Sequence, residues 1–351
     1  MDCGIDTSAG NSRGLDATYA GVVVASQVDI ATEGDHCAAV ATDRGGGTIS
    51  VVGGTFSTAG SGSPLLYSTG NIQVNGIVGT ASASQIAGME GLNTILINNS
   101  ELESTNTGLT GSDPVANGVI IYQSTSGDAE ATTGDAASFQ AASSTLKAAI
   151  TSGAMFYFTN TTANVVLSNT VLDFDSASNK LAYVAGNDAN NWGTPGSNGA
   201  RVNFTATNQQ LAGDACADTT SSLNLYLLNG STWSGSASIE DNANGATSSA
   251  PLSVYVDGSS TWTVTSDAHL SALGVATGGG IVDTDGNTVT VVAGGQTVVQ
   301  GTSNVTVTVD DDYTSDFVMS SANELVTETY DRSAFDEYFG TSTAWTMGQV
   351  A

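Results

Sequence analysis

The strongest constraint in this chain is a repeat of short strands. Apolar runs of four to six residues, rich in Val, Ile, Leu, Phe and Tyr, alternate with Gly, Asn, Ser and Thr. That is the grammar of strands and turns. The runs fall into three columns. The first holds Gly14–Ala17, Cys37–Ala41, Pro64–Ser68, Gln85–Met89, Gly118–Tyr122, Ala154–Phe158 and Leu181–Val184. The second begins at Val22, Thr48, Asn71, Thr94, Ser138, Asn164 and Arg201, and the third at Val28, Thr55, Ile77, Glu101, Thr145, Val171 and Gln210. Second-column starts are spaced by 26, 23, 23, 44, 26 and 37 residues. A period near 23 to 26 with three strands per period is the mark of a solenoid, and the long intervals carry inserts.

One such unit cannot bury its apolar side alone. Wound into a coil, each strand pairs in parallel with its counterpart in the next coil, ~4.8 Å away. Aliphatic residues then stack inside, and Ser, Thr and Asn stack at the turns. A leucine-rich repeat has a similar period, but its regular Leu and Asn skeleton is missing. The reading is an all-β fold: a right-handed parallel β-helix solenoid over residues 1–280, with a C-terminal β cap and short tail over 281–351. The cap is expected because an open solenoid end exposes strand edges and core. Asp285-Gly286-Asn287 marks a hairpin within it. In the tail, Ser333–Phe339 reads as a short amphipathic helix packed on the stack or as a linker.

Blocks such as Gly46-Gly47-Thr48-Ile49-Ser50-Val51 and Gly53-Gly54-Thr55-Phe56 sharpen this pattern. With them the chain resembles the right-handed β-helix proteins of the pectate-lyase-like class. Within that class it is most similar to the Ser/Thr/Gly-rich, adhesin-like surface proteins of bacteria, over about residues 10–310. The resemblance implies a secreted or cell-surface module for attachment, carbohydrate contact or spacing. Its partner would be a glycan or a molecule on a host or neighbouring cell. Met1-Asp2-Cys3-Gly4 carries neither a basic nor an apolar leader region, which reads as a module from a longer exported surface protein.

Charge narrows the partners. Lys and Arg total 6 against 34 Asp and Glu, a net charge of −28. Nucleic-acid binding needs clustered cations and is excluded; an anionic membrane surface is disfavoured likewise. No apolar run reaches the ~18 residues of a membrane span. Three cysteines, Cys3, Cys37 and Cys216, make no disulfide framework. A Cys3–Cys37 bridge and free buried thiols both remain open.

Few reaction types fit. The two histidines, His36 and His269, are far apart, so a Ser-His-Asp triad is improbable. The only lysines are Lys147 and Lys180, and no phosphate-binding loop exists. A polysaccharide lyase would have Arg13 or Arg44 as its base. An inverting glycoside hydrolase needs two carboxylates ~6.5–9.5 Å apart. Asp16, Asp43 and Glu90 end the first column, and Asp43 and Glu90 stand two coils apart, ~10 Å by strand spacing. Tyr19, Arg44 and Tyr122 would line the same edge. The plainer alternative is a solvated turn with Asp43 paired to Arg44.

Three polar inserts stand out: 104–117 with Asp113-Pro114, 123–137 with Asp128, Glu130 and Asp135, and 186–199 with Trp192. Trp192 either stacks a sugar or covers a strand end. Two Ser-Thr-Trp copies place Trp233 and Trp262 at a 29-residue interval, which suggests stacked core indoles. Asp283-Thr284-Asp285-Gly286-Asn287 resembles the start of a calcium loop, but Gly294 stands where the bidentate Glu belongs, so a hairpin turn is preferred. Asp310-Asp311-Asp312 is either a weak calcium site or a solvated charge run. No cofactor is expected. A binding or structural role is favoured over catalysis, with a carbohydrate-active enzyme as the alternative.

Overall fold

The computed structural model describes residues 3–127, 129 and 135–349. The chain is a parallel β-helix. Its strands form a 17-stranded long sheet, a nine-stranded sheet and a four-stranded sheet. The nine-stranded sheet is the first column of the sequence; it floors the site described below and is called the cleft sheet. The second and third columns are the two halves of the long sheet. In the first three coils they are single strands, Gly21–Thr32, Gly47–Thr58 and Asn71–Ala81.

The bend between the halves is set by one stacked position. Gln27, Gly53, Gly76, Asn99, Ser143, Asn169, Asn208 and Asn229 all have positive φ, between 46° and 71°. A left-handed corner costs ordinary residues ~1–2 kcal/mol, and Gly and Asn tolerate it best. The Asn and Gly punctuation of the sequence is therefore a column of corners.

Register turns alternation into core. In the long sheet, Ile49 pairs with Ile72, Ile72 with Ile95, Ile95 with Phe139, Phe139 with Val165 and Val165 with Phe204. In the cleft sheet, Val40, Leu66, Ala87, Val119, Phe156 and Ala182 continue one inward column. All of these residues are buried. Phe156 meets Phe139 and Phe204 edge-on, with centroids 5.8 and 5.2 Å apart, the favoured aromatic geometry. Each such side chain contributes roughly 1.5–3 kcal/mol by leaving water.

Beyond residue 209 the third column becomes the four-stranded sheet, Gln210–Ala212, Thr232–Gly235, Thr261–Val264 and Gly280–Asp283. Trp233 and Trp262 pair there in register, fully buried, with rings 4.8 Å apart and 8° from parallel. Their indole N–H groups donate to the carbonyls of Gly213 (2.8 Å) and Gly235 (2.9 Å). The facing cleft-sheet strands Ala215–Asp218 and Ala237–Glu240 have too little apolar bulk to show in the sequence columns. Ala215, Ala217 and Ala237 share the core with the indoles, so large residues on one side meet small ones on the other.

Among the described residues, antiparallel pairing is confined to the C-terminal end. Thr290–Ala293 and Gln296–Val299 form a hairpin around Gly294 and Gly295, and Val282 bridges Thr288. Thr306–Thr314 then returns in parallel against Ala268–Val275. The tail departs from expectation. The short helix expected over Ser333–Phe339 forms, but it buries no residue, and the segments around it are packed rather than a linker. The tail doubles back down the outer face of the long sheet as a strap. Phe317 lies on Tyr226 and Tyr255; Asn323 donates to Thr205, Val326 N–H to Gln140 and Tyr330 N–H to Gln73. Arg332, 1% exposed, donates to the Ser50 and Ala25 carbonyls, both at 2.8 Å. The helix Ser333–Phe339 follows but buries no residue. Trp345 and Met347 then pack on Leu96 and Ala142.

Candidate binding cleft

The outer face of the cleft sheet is covered in part by the inserts, with Ile120 and Tyr157 buried beneath Trp192. Along it, Ala41 pairs with Tyr67, Tyr67 with Gly88, Gly88 with Ile120 and Ile120 with Tyr157. Glu90 pairs with Tyr122. The inserts wall this floor. The 105–116 loop folds back over an earlier coil, where Gly62 N–H donates to Thr110 Oγ1 (2.8 Å) and Gly111 N–H to Ser61 Oγ (3.1 Å). On the other side, Thr125 N–H donates to the Asn191 carbonyl (2.9 Å), tying the second insert to the third. The enclosed cavity is about 340 Å³. Tyr67, Gln85, Glu90, Asp113, Tyr122, Trp192, Arg13 and His36 are among the residues that line it.

Glu90 is the anchor of the floor. It is 2% exposed and ends the strand Ala87–Glu90. The phenol of Tyr67 donates to it at 2.8 Å and that of Tyr122 at 3.4 Å. The hydroxyls of Ser124 and Ser126 also donate to it, and so does the Ser124 N–H. A buried carboxylate tolerates desolvation only with such donors. Burial foremost, then the negative charge around it, pushes the Tyr122 phenol well above its ordinary range. Both phenols therefore act here as donors to Glu90.

Asp113 hangs over the floor from the first insert. Asn117 Nδ2 donates to its carboxylate at 2.9 Å. Burial outweighs that bond and pushes the carboxyl up to about 7. Gln85, 6% exposed, accepts from Ser84 through Oε1. Its Nε2 lies over the outer face of Gly88 and has no hydrogen-bond partner among the described residues. Asp113 and Gln85 were not singled out from sequence. Asp113-Pro114 in a polar insert was the visible signal for one; nothing local marks the other.

The residues read from sequence divide. Glu90, Tyr122 and Trp192 come together. Asp43 stands in register two rungs from Glu90 on the same outer face, but its carboxylate is taken by Arg13, at 2.8 Å. The expected Asp43–Arg44 charge pair is corrected: Arg44 meets Asp43 through its backbone N–H (2.9 Å). Arg44 and Tyr19 lie at a turn beyond the strand ends, in left-handed backbone (φ 31° and 51°), with Tyr19 N–H donating to the Arg44 carbonyl. Neither lines the cavity. Trp192 is 4% exposed and tilted against Tyr122, centroids 4.6 Å apart. It covers the sheet rather than offering a free stacking surface. Asp16 belongs to the Arg13 group, its carboxyl raised chiefly by burial. Asp128 and Glu130 lie outside the described residues.

Elsewhere, the three cysteines are free, Cys3 exposed and Cys37 and Cys216 buried, so the Cys3–Cys37 alternative gives way to separate thiols. Asp283 is occupied by its own turn, accepting from the N–H groups of Asp285 and Asn287, which is the hairpin reading. Its carboxyl is held down to about 2, first by Ser303. Asp310 meets His269 Nε2 at 2.8 Å. Among the described residues, no group of three His, Cys, Asp or Glu side chains is placed to hold a metal ion, and no helix is long and apolar enough to cross a membrane. No family model, curated protein or solved structure matches the chain.

Proposed function

We propose that this chain is a β-helical module of an adhesin-like, extracellular surface protein, and that it contacts glycans through the cleft between its inserts. One observation carries this reading: three inserts from different coils converge around one cavity on the outer face of the cleft sheet, while the tail covers the outer face of the long sheet. The cavity mixes apolar ring surface at Tyr122 and Trp192 with few convergent polar groups, the composition of a small-ligand site. The stiff, lysine-poor coil stack then serves to present it.

Glycan-array binding followed by titration calorimetry tests the proposal. Binding that is lost in Gln85→Leu and Tyr67→Phe but kept in Tyr19→Ala supports it. Binding unchanged by the cleft variants, or no binding to any glycan, overturns it.

The alternative, a carbohydrate-active enzyme, is favoured by Glu90 and Asp113 lining one cavity. Glu90 fits an anchor better than a free base, because the surrounding donors already occupy its oxygens. Release of reducing ends from a bound glycan would decide for the enzyme.

A further inference from the structure

A buried glycine in this solenoid normally has a reason to be glycine. Either its backbone is left-handed, or an added Cβ would collide with a neighbour, as at Gly118 (2.8 Å) and Gly235 (2.2 Å). Among the described residues Gly88 is the exception. It is buried, its φ is not positive, and it pairs with Tyr67 on one side and Ile120 on the other in the outward column of the cleft sheet. A Cβ at Gly88 would lie 3.4 Å from Gln85 Nε2, 3.6 Å from Ile120 Cγ2 and 3.7 Å from Tyr67 Cδ2. Those are ordinary contacts. Neither backbone nor crowding requires the glycine, and its missing side chain leaves a methyl-sized notch. Gly88, Gln85 and Tyr67 all line the cavity, so the notch belongs to its floor.

The rim of the notch is chemically simple: one amide nitrogen, one methyl group and one aromatic carbon around a single point. The nitrogen is a donor in search of an acceptor. Gln85 is 6% exposed, Ser84 Oγ donates to its Oε1 at 2.7 Å, and Nε2 has no hydrogen-bond partner among the described residues. Buried amide N–H groups are normally satisfied.

We propose that this notch takes the acetyl group of an N-acetylated sugar, with its methyl against Ile120 Cγ2 and Tyr67 Cδ2 and its carbonyl oxygen accepting from Gln85 Nε2. The proposal rests on the glycan reading above and names its ligand class. Other sugar substituents fit the rim less well. A hydroxyl can accept from Nε2, but its own O–H would then face carbon. An ammonium has no acceptor and would set N–H against N–H. A carboxylate accepts, yet it would enter a cavity that Glu90 and Asp113 also line, in a chain of net charge −28. An acetyl group carries an acceptor and an apolar cap side by side, which is what the rim lacks. The cavity of about 340 Å³ is at the small end of ligand pockets, in keeping with one ring and its substituent.

Calorimetry with β-linked disaccharides of N-acetylglucosamine, glucosamine and glucose, plus an acetyl-lysine peptide, is the test. The N-acetylglucosamine disaccharide should bind at least about tenfold tighter than the other two sugars, the scale of one buried methyl and one hydrogen bond. Gly88→Ala fills the notch with a methyl of its own and should erase that preference. It should do so without lowering the melting temperature, because the added Cβ has ordinary room and Ala loses less backbone entropy on folding. Gln85→Leu removes the donor and should erase the preference too. Equal or better binding of the glucose or glucosamine disaccharide, or a preference that survives in folded Gly88→Ala, overturns the acetyl proposal and leaves the glycan reading standing. If Gly88→Ala fails to fold, the wild-type selectivity and Gln85→Leu decide. An acetyl-lysine peptide that binds as tightly as the acetylated disaccharide also overturns it, since the sugar ring would then add nothing. Binding of none of the three sugars overturns it as well, and the glycan array then decides the wider reading by itself.

Discussion

The two outer faces of this solenoid begin alike and end differently. Both carry polar side chains on their outward columns, interleaved with apolar ones such as Leu96 and Val166 on the long sheet and Ile120 on the cleft sheet. On the long sheet, Ser50, Gln73, Gln140 and Thr205 point outward into the returning tail. Tyr330 N–H bonds Gln73 at 2.7 Å and Val326 N–H bonds Gln140 at 2.8 Å; Arg332 bonds Ser50 and Asn323 bonds Thr205. On the cleft sheet, Tyr67, Gln85 and Glu90 point outward into a cavity. There the inserts cover Ile120 and Tyr157 and wall a cavity beside them. The lesson is that outward polarity does not by itself mark a binding surface. The long-sheet column has its ligand in cis; the cleft keeps a Gln85 amide nitrogen without a partner among the described residues and, on the first insert, a carboxyl at Asp113 with one donor.

Four substitutions can break or sharpen this contrast. Trp262→Ala strikes the interior that both faces share. It should cost ~3–5 kcal/mol, as large aromatic truncations in cores do, and thermal melting would show the loss in one cooperative step. Arg332→Met strikes only the covered face. It deletes charged donors to the Ala25 and Ser50 carbonyls and should cost ~2–3 kcal/mol. Hydrogen exchange should then rise in residues 21–58 and 321–347 while glycan binding persists. If exchange there is unchanged, the strap is not what holds that face.

Asp113→Asn strikes only the cleft face, and its effect carries a sign. The folded carboxyl titrates near 7, above the unfolded value, so the native state binds the extra proton between about pH 4 and pH 7. Wild-type stability therefore falls as pH rises through that window. The Asn variant lacks that loss and should be the more stable protein at pH 8, by the order of 1–2 kcal/mol, with the gap closing towards pH 4. Chemical denaturation at both pH values checks this; a constant gap would place the cause elsewhere. His269→Ala is the smallest change. Its partner Asp310 is half exposed, and such surface pairs contribute ~0–1 kcal/mol. A melting shift beyond that would make the C-terminal end a third region to compare.

Much of this was legible in the chain. The first column became the cleft sheet nearly residue for residue, because alternating apolar runs admit one register that keeps Val40, Leu66, Ala87 and Val119 inside. The Ser, Thr, Asn and Gly punctuation marked where the turns fall; that one turn column is left-handed, with Gln27 and Ser143 in it, emerged only in the structure. The paired Ser-Thr-Trp segments foretold Trp233 over Trp262. Of the site, Glu90 and Tyr122 could be found because both close first-column strands, and in-register stacking puts such ends side by side. Asp113 and Gln85 could not. The 105–116 loop chooses its path by contacts at Ser61 and Gly62, about fifty residues away.

Local periodicity is enough to fix which residues face in, since each rung repeats the same burial decision against its neighbour. That decided the solenoid, its corners and its core. Where the aperiodic segments settle is a different problem, because no repeat constrains them and distant partners compete for them. Only the folded molecule decided that the tail, anchored by the buried guanidinium of Arg332, would cover one outer face, and that the inserts would enclose a cavity on the other.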